Sequence, residues 1–299
     1  MKVRVLCAAV LTLAVLLGGA PVAGAQAGDG LRPVARPTAQ MVEALLDPSA
    51  PVQADVPVQA DVFNGRFVAR GQFPYVGLVV LIDPKTGVVQ GECSGSLIRP
   101  RYVLTAGHCT RRAKGAVFIP KVVDLRKAKP RDVYVASAVA TAPRYSARSL
   151  RDDVGLLKLS RAANVRPVRV ADAVDDRRYG RGSKATVVGW GAVDRRLKLP
   201  MRVRKGNIAL LSNARCAARW GEVFKPNSMI CGGSRVTDTC VGDSGGPLLV
   251  RDRNNMWLLL GATSFGRQAC GPAVDSVYAR VSSVRPWIER VTGLAPRRP

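Results

Sequence analysis

Gly242-Asp243-Ser244-Gly245-Gly246-Pro247-Leu248-Leu249-Val250 is the stretch on which the fold turns. Glycines on both sides of a serine let the backbone bend sharply, expose Oγ and leave amide N–H groups to face an oxyanion. The pattern also satisfies G-x-S-x-G, the strand-to-helix elbow of the α/β-hydrolases. An elbow serine leads into a helix and has its histidine downstream. Here Pro247–Val250 reads as a strand, and the chain's single histidine, His108, lies upstream. The α/β-hydrolase reading fails on both counts.

Working outward, the same texture recurs. From Val62 onward, short apolar or alternating runs are punctuated by Gly, Pro and Asp, as in Phe73–Leu81, Tyr102–Ala106, Val133–Thr141 and Gly155–Leu159. Thr186–Trp190, Trp257–Phe265 and Val277–Val281 continue the series. Short strands at this spacing predict an all-β sandwich or barrel. Helix is expected only at Ser212–Arg219, with Ser212 as cap, and at Val284–Val291, where Pro286 suits a first turn. The 238 residues of 62–299 are enough for two small barrels sharing an interface, divided at about residues 175 and 176.

Before Val62 the character differs. Met1-Lys2-Val3-Arg4, an apolar run to Leu17 and the close Ala23-Gly24-Ala25 predict a signal peptide over residues 1–25. The run is too short for a comfortable membrane span, for which ~20 residues are needed, so a secreted, extracellular protein is expected. Residues 26–61 are rich in Pro, Ala and Asp and repeat Pro51-Val-Gln-Ala-Asp-Val56 as Pro57-Val-Gln-Ala-Asp-Val62. Such composition buries little apolar area and reads as a flexible pro-segment or linker.

Cys7 leaves with the signal. Cys93, Cys109, Cys216, Cys231, Cys240 and Cys270 remain, an even number that predicts three disulfides, with 15 pairings open. No C-x-x-C pair exists, and the only histidine would have to serve as a ligand, so zinc is a poor alternative. The formal charge of +25 is unevenly spread: residues 26–61 carry −3, and residues 62–299 about +26. Such a field favours anionic partners such as a cell envelope, nucleic acid or acidic proteins. No nucleic-acid-binding module accompanies it, so no specific nucleic-acid partner is expected.

A serine hydroxyl becomes a nucleophile when a base takes its proton. His108 carries the only imidazole, in Thr105-Ala106-Gly107-His108-Cys109. A carboxylate must then hold the ring's tautomer. Asp153 precedes Val154-Gly155-Leu156-Leu157-Lys158-Leu159, an apolar run that would bury and fix it, whereas its neighbour Asp152 is expected in solvent. The order His…Asp…Ser is that of chymotrypsin, not of subtilisin.

With these residues in view, the chain resembles the trypsin-like (chymotrypsin-fold) serine peptidases, particularly secreted bacterial trypsins. The likeness runs from Val62 to about Val291. It is carried by Cys93-Ser-Gly-Ser-Leu-Ile98, Thr105–Cys109, Asp153–Leu157, Gly189-Trp190-Gly191 and Met229-Ile-Cys231. Asp238-Thr-Cys-Val-Gly-Asp-Ser-Gly-Gly-Pro247, Ser264-Phe265-Gly266 and Val277-Tyr278 complete it.

The resemblance implies two packed six-stranded Greek-key β-barrels with a C-terminal helix. It implies catalysis by His108, Asp153 and Ser244, with the amides of Gly242 and Ser244 as oxyanion hole. The implied disulfides are Cys93–Cys109, Cys216–Cys231 and Cys240–Cys270. Asp238 would lie at the base of the primary pocket and pair with a substrate Lys or Arg, with Ser264 and Gly266 along its wall. Ser276 departs from the family, standing where trypsins have glycine, and Asp275 where they have proline; the extra hydroxymethyl narrows the pocket. Activation would free Val62 to pair with Asp243, after a cut at Asp61–Val62 that a trypsin would not make itself.

Protein or peptide substrates, protein inhibitors and a monomeric state are the expected associations, with no cofactor. No metal is expected either: in Arg111–Lys129, near the family's calcium loop, Asp124 is the only acid. Two rival readings stand beside this one: a basic, inactive homologue that binds anionic surfaces, and a peptidase of chymotrypsin- or elastase-like preference.

Overall fold

Six antiparallel strands between residues 76 and 159 close into a barrel. They are β1 (Val76–Ile82), β2 (Val89–Arg99), β3 (Tyr102–Thr105), β4 (Gly115–Pro120), β5 (Tyr134–Thr141) and β6 (Gly155–Leu159). Going round the barrel the order is β1-β2-β3-β6-β5-β4, and β4 returns to β1. Six more strands form a second barrel: β7 (Lys184–Gly189), β8 (Arg204–Leu210), β9 (Met229–Gly233), β10 (Pro247–Arg251), β11 (Trp257–Phe265) and β12 (Ser276–Arg280). Its circuit is β7-β8-β9-β12-β11-β10, closed by β10 on β7. The two halves share one connectivity, in which the third strand pairs with the sixth. That is a Greek-key jump repeated.

This computed structural model describes residues 30–47, 64–177, 179–190, 202–237, 239, 243–266 and 275–296. The predicted signal peptide and the positions Val62, Asp238, Cys240, Gly242 and Cys270 lie outside the described residues.

Most barrel strands are buried on both faces, β1 at six of its seven residues and β4 along its whole length. One face fills a barrel and the other is covered, which is why these segments read as continuous apolar runs instead of strict alternation. Closure also leaves no long unpaired edge. Trp190, Tyr278, Phe118, Leu97 and Leu156 are among the largest fully buried side chains. The sequence disguised β2 as a loop, because it carries Gly91, Glu92, Ser94, Gly95 and Ser96. One of these polar groups bridges the barrels: Ser94 Oγ accepts from the Trp190 N–H at 3.1 Å, tying the first barrel to the end of β7.

The two expected helices form. Ser212 caps Asn213–Trp220 by accepting from the Arg215 N–H, and Pro286 sits in the first turn of Arg285–Thr292. A second small core lies beside the first helix, where Cys216, Phe224, Met229, Cys231 and Val277 pack together. Trp220 meets Phe265 edge-on there, with ring centres 5.1 Å apart.

Residues 30–47 are more structured than their composition suggests. Arg32–Pro33 adds antiparallel to β5, opposite Val139 and Ala138, and Thr38 caps a helix over Ala39–Leu46. Val34 and Val42 are buried. Backbone bonds from Val34 to Ser137 and from Ala35 to Lys114 supply the rest of the attachment. The segment thus docks through both its main chain and apolar side chains, with Leu31, Leu45 and Leu46 packed against the core beside Val34 and Val42.

Candidate active site

His108 enters from a one-turn helix, Gly107–Thr110, that directly follows β3. A disulfide between Cys93 on β2 and Cys109 ties that turn to the barrel. Asp153 stands just before β6, the strand paired with β3, so adjacent strands deliver the imidazole and the carboxylate to one barrel end. The Asp153 side chain is fully buried and accepts three hydrogen bonds. Its Oδ1 takes the His108 backbone N–H at 2.8 Å, and its Oδ2 lies 2.8 Å from His108 Nδ1 and accepts from Ser264 Oγ at 2.6 Å. A carboxylate so placed accepts from Nδ1, fixing it as the protonated nitrogen and leaving Nε2 to accept.

Asp152, expected in solvent, is buried instead. Arg144 approaches its carboxylate at 3.2 Å and Ser283 donates at 3.0 Å. Its side chain is thus committed to these groups, not to His108.

Ser244 stands three residues before β10, and the second barrel carries it to the first. The Ser94 N–H on β2 donates to the Ser244 carbonyl at 2.7 Å. Gly245 follows with φ +77°, and a Cβ there would lie 2.1 Å from Thr105 Oγ1 and 2.6 Å from Ala106 N. Only glycine lets the nucleophile loop press so closely on the strand leading to His108. No hydrogen bond joins Ser244 Oγ to the His108 ring in this arrangement. Such contacts are often long in unliganded enzymes and tighten when substrate binds.

Asp243 is buried, with its carboxylate laid over Gly189: a Cβ on that glycine would fall 1.9 Å from Oδ1. The ring nitrogen of His108 and the sulfurs of Cys93 and Cys109 lie within 4.8 Å of one another. Both sulfurs are spent in the disulfide, so that trio offers no thiolate to a metal.

The residues expected around the primary pocket are only partly gathered in view. Ser276 Oγ donates to the Thr239 carbonyl at 3.4 Å and lies 3.2 Å from where a Cβ on Gly266 would stand. Thr239, directly after Asp238, also shares a 3.2 Å hydrogen bond with the Tyr278 hydroxyl. Ser264 gives its hydroxyl to Asp153. Asp275 takes a 2.8 Å ion pair from Arg219. The Cys216–Cys231 disulfide lies in the small core beside these residues, where Val277 and Phe265, the neighbours of Ser276 and Gly266, also pack.

The trypsin family profile matches residues 62–288. The chain belongs to the trypsin family. A trypsin from Saccharopolyspora erythraea is 33% identical over 210 residues, spanning 69% of this chain and 87% of that one. Phenoloxidase-activating enzyme 1 from Spodoptera litura is 29% identical over 294 residues, 90% of this chain and 78% of the relative. Among solved structures, the HL collagenase is similar with a TM-score of 0.66 and 27% identity, covering 79% of this chain and all of its own. This trypsin-family chain is accordingly a serine endopeptidase by descent.

One participant escaped the sequence reading. Tyr145 packs close enough to Asp153 and Gly107 to form part of the site wall. Burial, and then the Asp153 charge, push its phenol above its ordinary range. Nothing in Pro143-Arg144-Tyr145-Ser146 marks it locally, because the signal lies in a contact formed by the fold.

Proposed function

We propose that this protein is a secreted endopeptidase that cuts after Arg or Lys through an acyl-enzyme. The observation that carries the reading is Asp153, buried and holding both the backbone N–H and Nδ1 of His108 while Ser264 donates to the same carboxylate. With Nδ1 so engaged, Nε2 takes the Ser244 proton as Oγ attacks the scissile carbonyl. The amides of Gly242 and Ser244 receive the negative charge that develops on the carbonyl oxygen. His108 then returns the proton to the departing amine, and a water molecule repeats the sequence in reverse to free the acid.

Asp238 supplies the preference for a basic side chain, and Ser276 trims the space available to it. Supporting this, Thr239, the residue after Asp238, is hydrogen-bonded to both Ser276 and Tyr278. Residues 1–25 act as an export signal, in keeping with the two disulfides among the described residues, since such bonds persist in oxidising compartments. Residues 26–61 form the leader of a zymogen, and a processing protease of other specificity frees Val62 to pair with buried Asp243.

Labelling by a fluorophosphonate, lost in Ser244→Ala, tests the nucleophile. A panel of peptide amides differing only in the residue before the cut tests specificity. Faster turnover of Ala, Leu or Phe than of Arg and Lys would reject the basic preference while leaving the peptidase intact. Edman sequencing of the mature enzyme tests activation, and a start elsewhere than Val62 would remove the proposed ion pair.

A further inference from the structure

On the outer wall of the second barrel, β7 and β8 run beside the β10–β11 turn and leave a trough of about 800 Å³. It is separate from the cleft. Lys184 opens β7 at the end opposite Gly189, which touches Asp243, and five residues of strand span roughly 17 Å. Its apolar surface comes from Ala209 and the Trp257 ring, while Ala185 and Ile208 turn their buried side chains the other way, into the barrel core. The rim is cationic. Lys184 makes no ion pair among the described residues, and Arg251 lies with its guanidinium 3.7 Å over the Trp257 ring. Thr186 Oγ1 donates to Asn207 Oδ1 at 3.0 Å, which uses the amide's acceptor and leaves its N–H donors.

Among the described residues no carboxylate lines the trough. The nearest in sequence, Asp252, is turned to Arg169 at 3.1 Å. The row of cation and ring continues past Trp257 to Phe73, centre to centre 5.1 Å, and on to Lys205, 5.9 Å from Phe73. A site rich in donors, without acid among its described residues and with an alanine and an aromatic edge beside its cations, selects an anion that also carries hydrocarbon.

We propose that this trough is an exosite for an extended acidic polypeptide segment, of a protein substrate or inhibitor, in which carboxylates alternate with apolar side chains. The carboxylates meet Lys184, Arg251 and Asn207, and the apolar side chains lie on Ala209 and the edge of the Trp257 ring. A single-stranded nucleic acid is the poorer fit, because it binds by stacking bases on open aromatic faces. Here one face of Trp257 is covered by Arg251 and the ring is flanked by Phe73.

The test uses the full chain carrying Ser244→Ala, so that binding is read without cleavage and independently of the proposed reaction. A fluorescein-labelled peptide of alternating Glu and Leu is titrated and its anisotropy followed, beside the Gln–Leu analogue. The Glu–Leu peptide is expected to bind at least tenfold more tightly than the analogue. Lys184→Gln with Arg251→Gln is expected to cost at least tenfold, and the same pair placed in the active enzyme should leave turnover of a small peptide amide unchanged. That unchanged turnover, with an unaltered circular dichroism spectrum, excludes misfolding as the cause. Binding indifferent to the double substitution overturns the proposal. So does displacement of the peptide by single-stranded DNA or polyphosphate as readily as by unlabelled peptide, which would make the surface a general polyanion site.

Discussion

Three donors converge on Asp153, and each constrains what a substitution there would do. Asp153→Asn keeps the volume but presents an amide N–H₂ toward Nδ1. The ring then holds its proton on Nε2 and cannot accept from Ser244. We expect kcat to fall by ~10⁴, a magnitude carried over from the family's archetypal triad, with denaturant midpoint changing far less. A loss of only tenfold would mean that another group orients the ring. Ser276 belongs to the same scale. Ser276→Gly removes the hydroxyl beside Gly266 and is expected to raise kcat/KM for an Arg amide about tenfold, within the range of one pocket methylene. An unchanged Arg-to-Ala ratio would show that Ser276 does not limit the pocket.

Glu92 makes a different kind of prediction. Its Oε2 is buried without a hydrogen bond, and desolvation pushes the carboxyl up to about 7 from an ordinary 4.5. Between those values the folded chain keeps a proton that the unfolded chain releases, so stability falls as pH rises through about 4.5 to 7. At most about 3 kcal/mol is involved. Glu92→Gln should flatten that slope, measured by urea unfolding of the Ser244→Ala protein at pH 4.5, 6 and 8. The same slope in both proteins would assign it to other groups.

Among the elements, the turn Gly107–Thr110 depends most on a covalent clamp. Four residues cannot hold a helix by themselves, and Cys93–Cys109 pins this one to β2 across a sequence separation of 16. Replacing both cysteines with alanine is expected to lower stability by ~3 kcal/mol in the chain-entropy account, and to depress kcat beyond that expected from unfolding alone. Retention of full turnover would show that packing of Gly107 against Asp153 positions the ring unaided.

Legibility in the sequence follows from the same elements. β6 and β11 were evident because their apolar runs are bounded by turn residues on both sides. β2 was hidden because its serines and glutamate face the other barrel or the interior, where polarity looks like a loop. β8 was hidden too, reading Arg-Lys-Gly-Asn before its apolar end. The triad residues stood out through scarcity and context, one histidine and one glycine-framed serine. Tyr145 and the burial of Asp152 depend on neighbours distant in the chain, and local pattern carries no trace of them.

The whole molecule is two copies of one barrel connectivity with the candidate active site where their ends meet. The imidazole and carboxylate belong to the first barrel, and the serine to the second. The bonds between Ser94 and Ser244 and between Ser94 and Trp190 therefore align the reacting groups as well as joining the halves. The large positive charge gives the assembly a long-range field that salt will screen, so encounter with acidic proteins should slow as ionic strength rises.

The strand Arg32–Pro33 reaches into this arrangement from outside. Arg32 donates to the carbonyls of Thr110 and Ala113, in the loop that leaves His108. No cysteine lies between residues 26 and 61, so if the proposed cut at Asp61–Val62 is made, nothing covalent retains that piece. Its main-chain pairing should nevertheless keep it seated. The processed protein would then be a two-part complex, running as one species in gel filtration and as two bands once denatured, and a synthetic peptide of residues 30–47 added in trans should restore whatever rigidity its removal takes from the histidine loop.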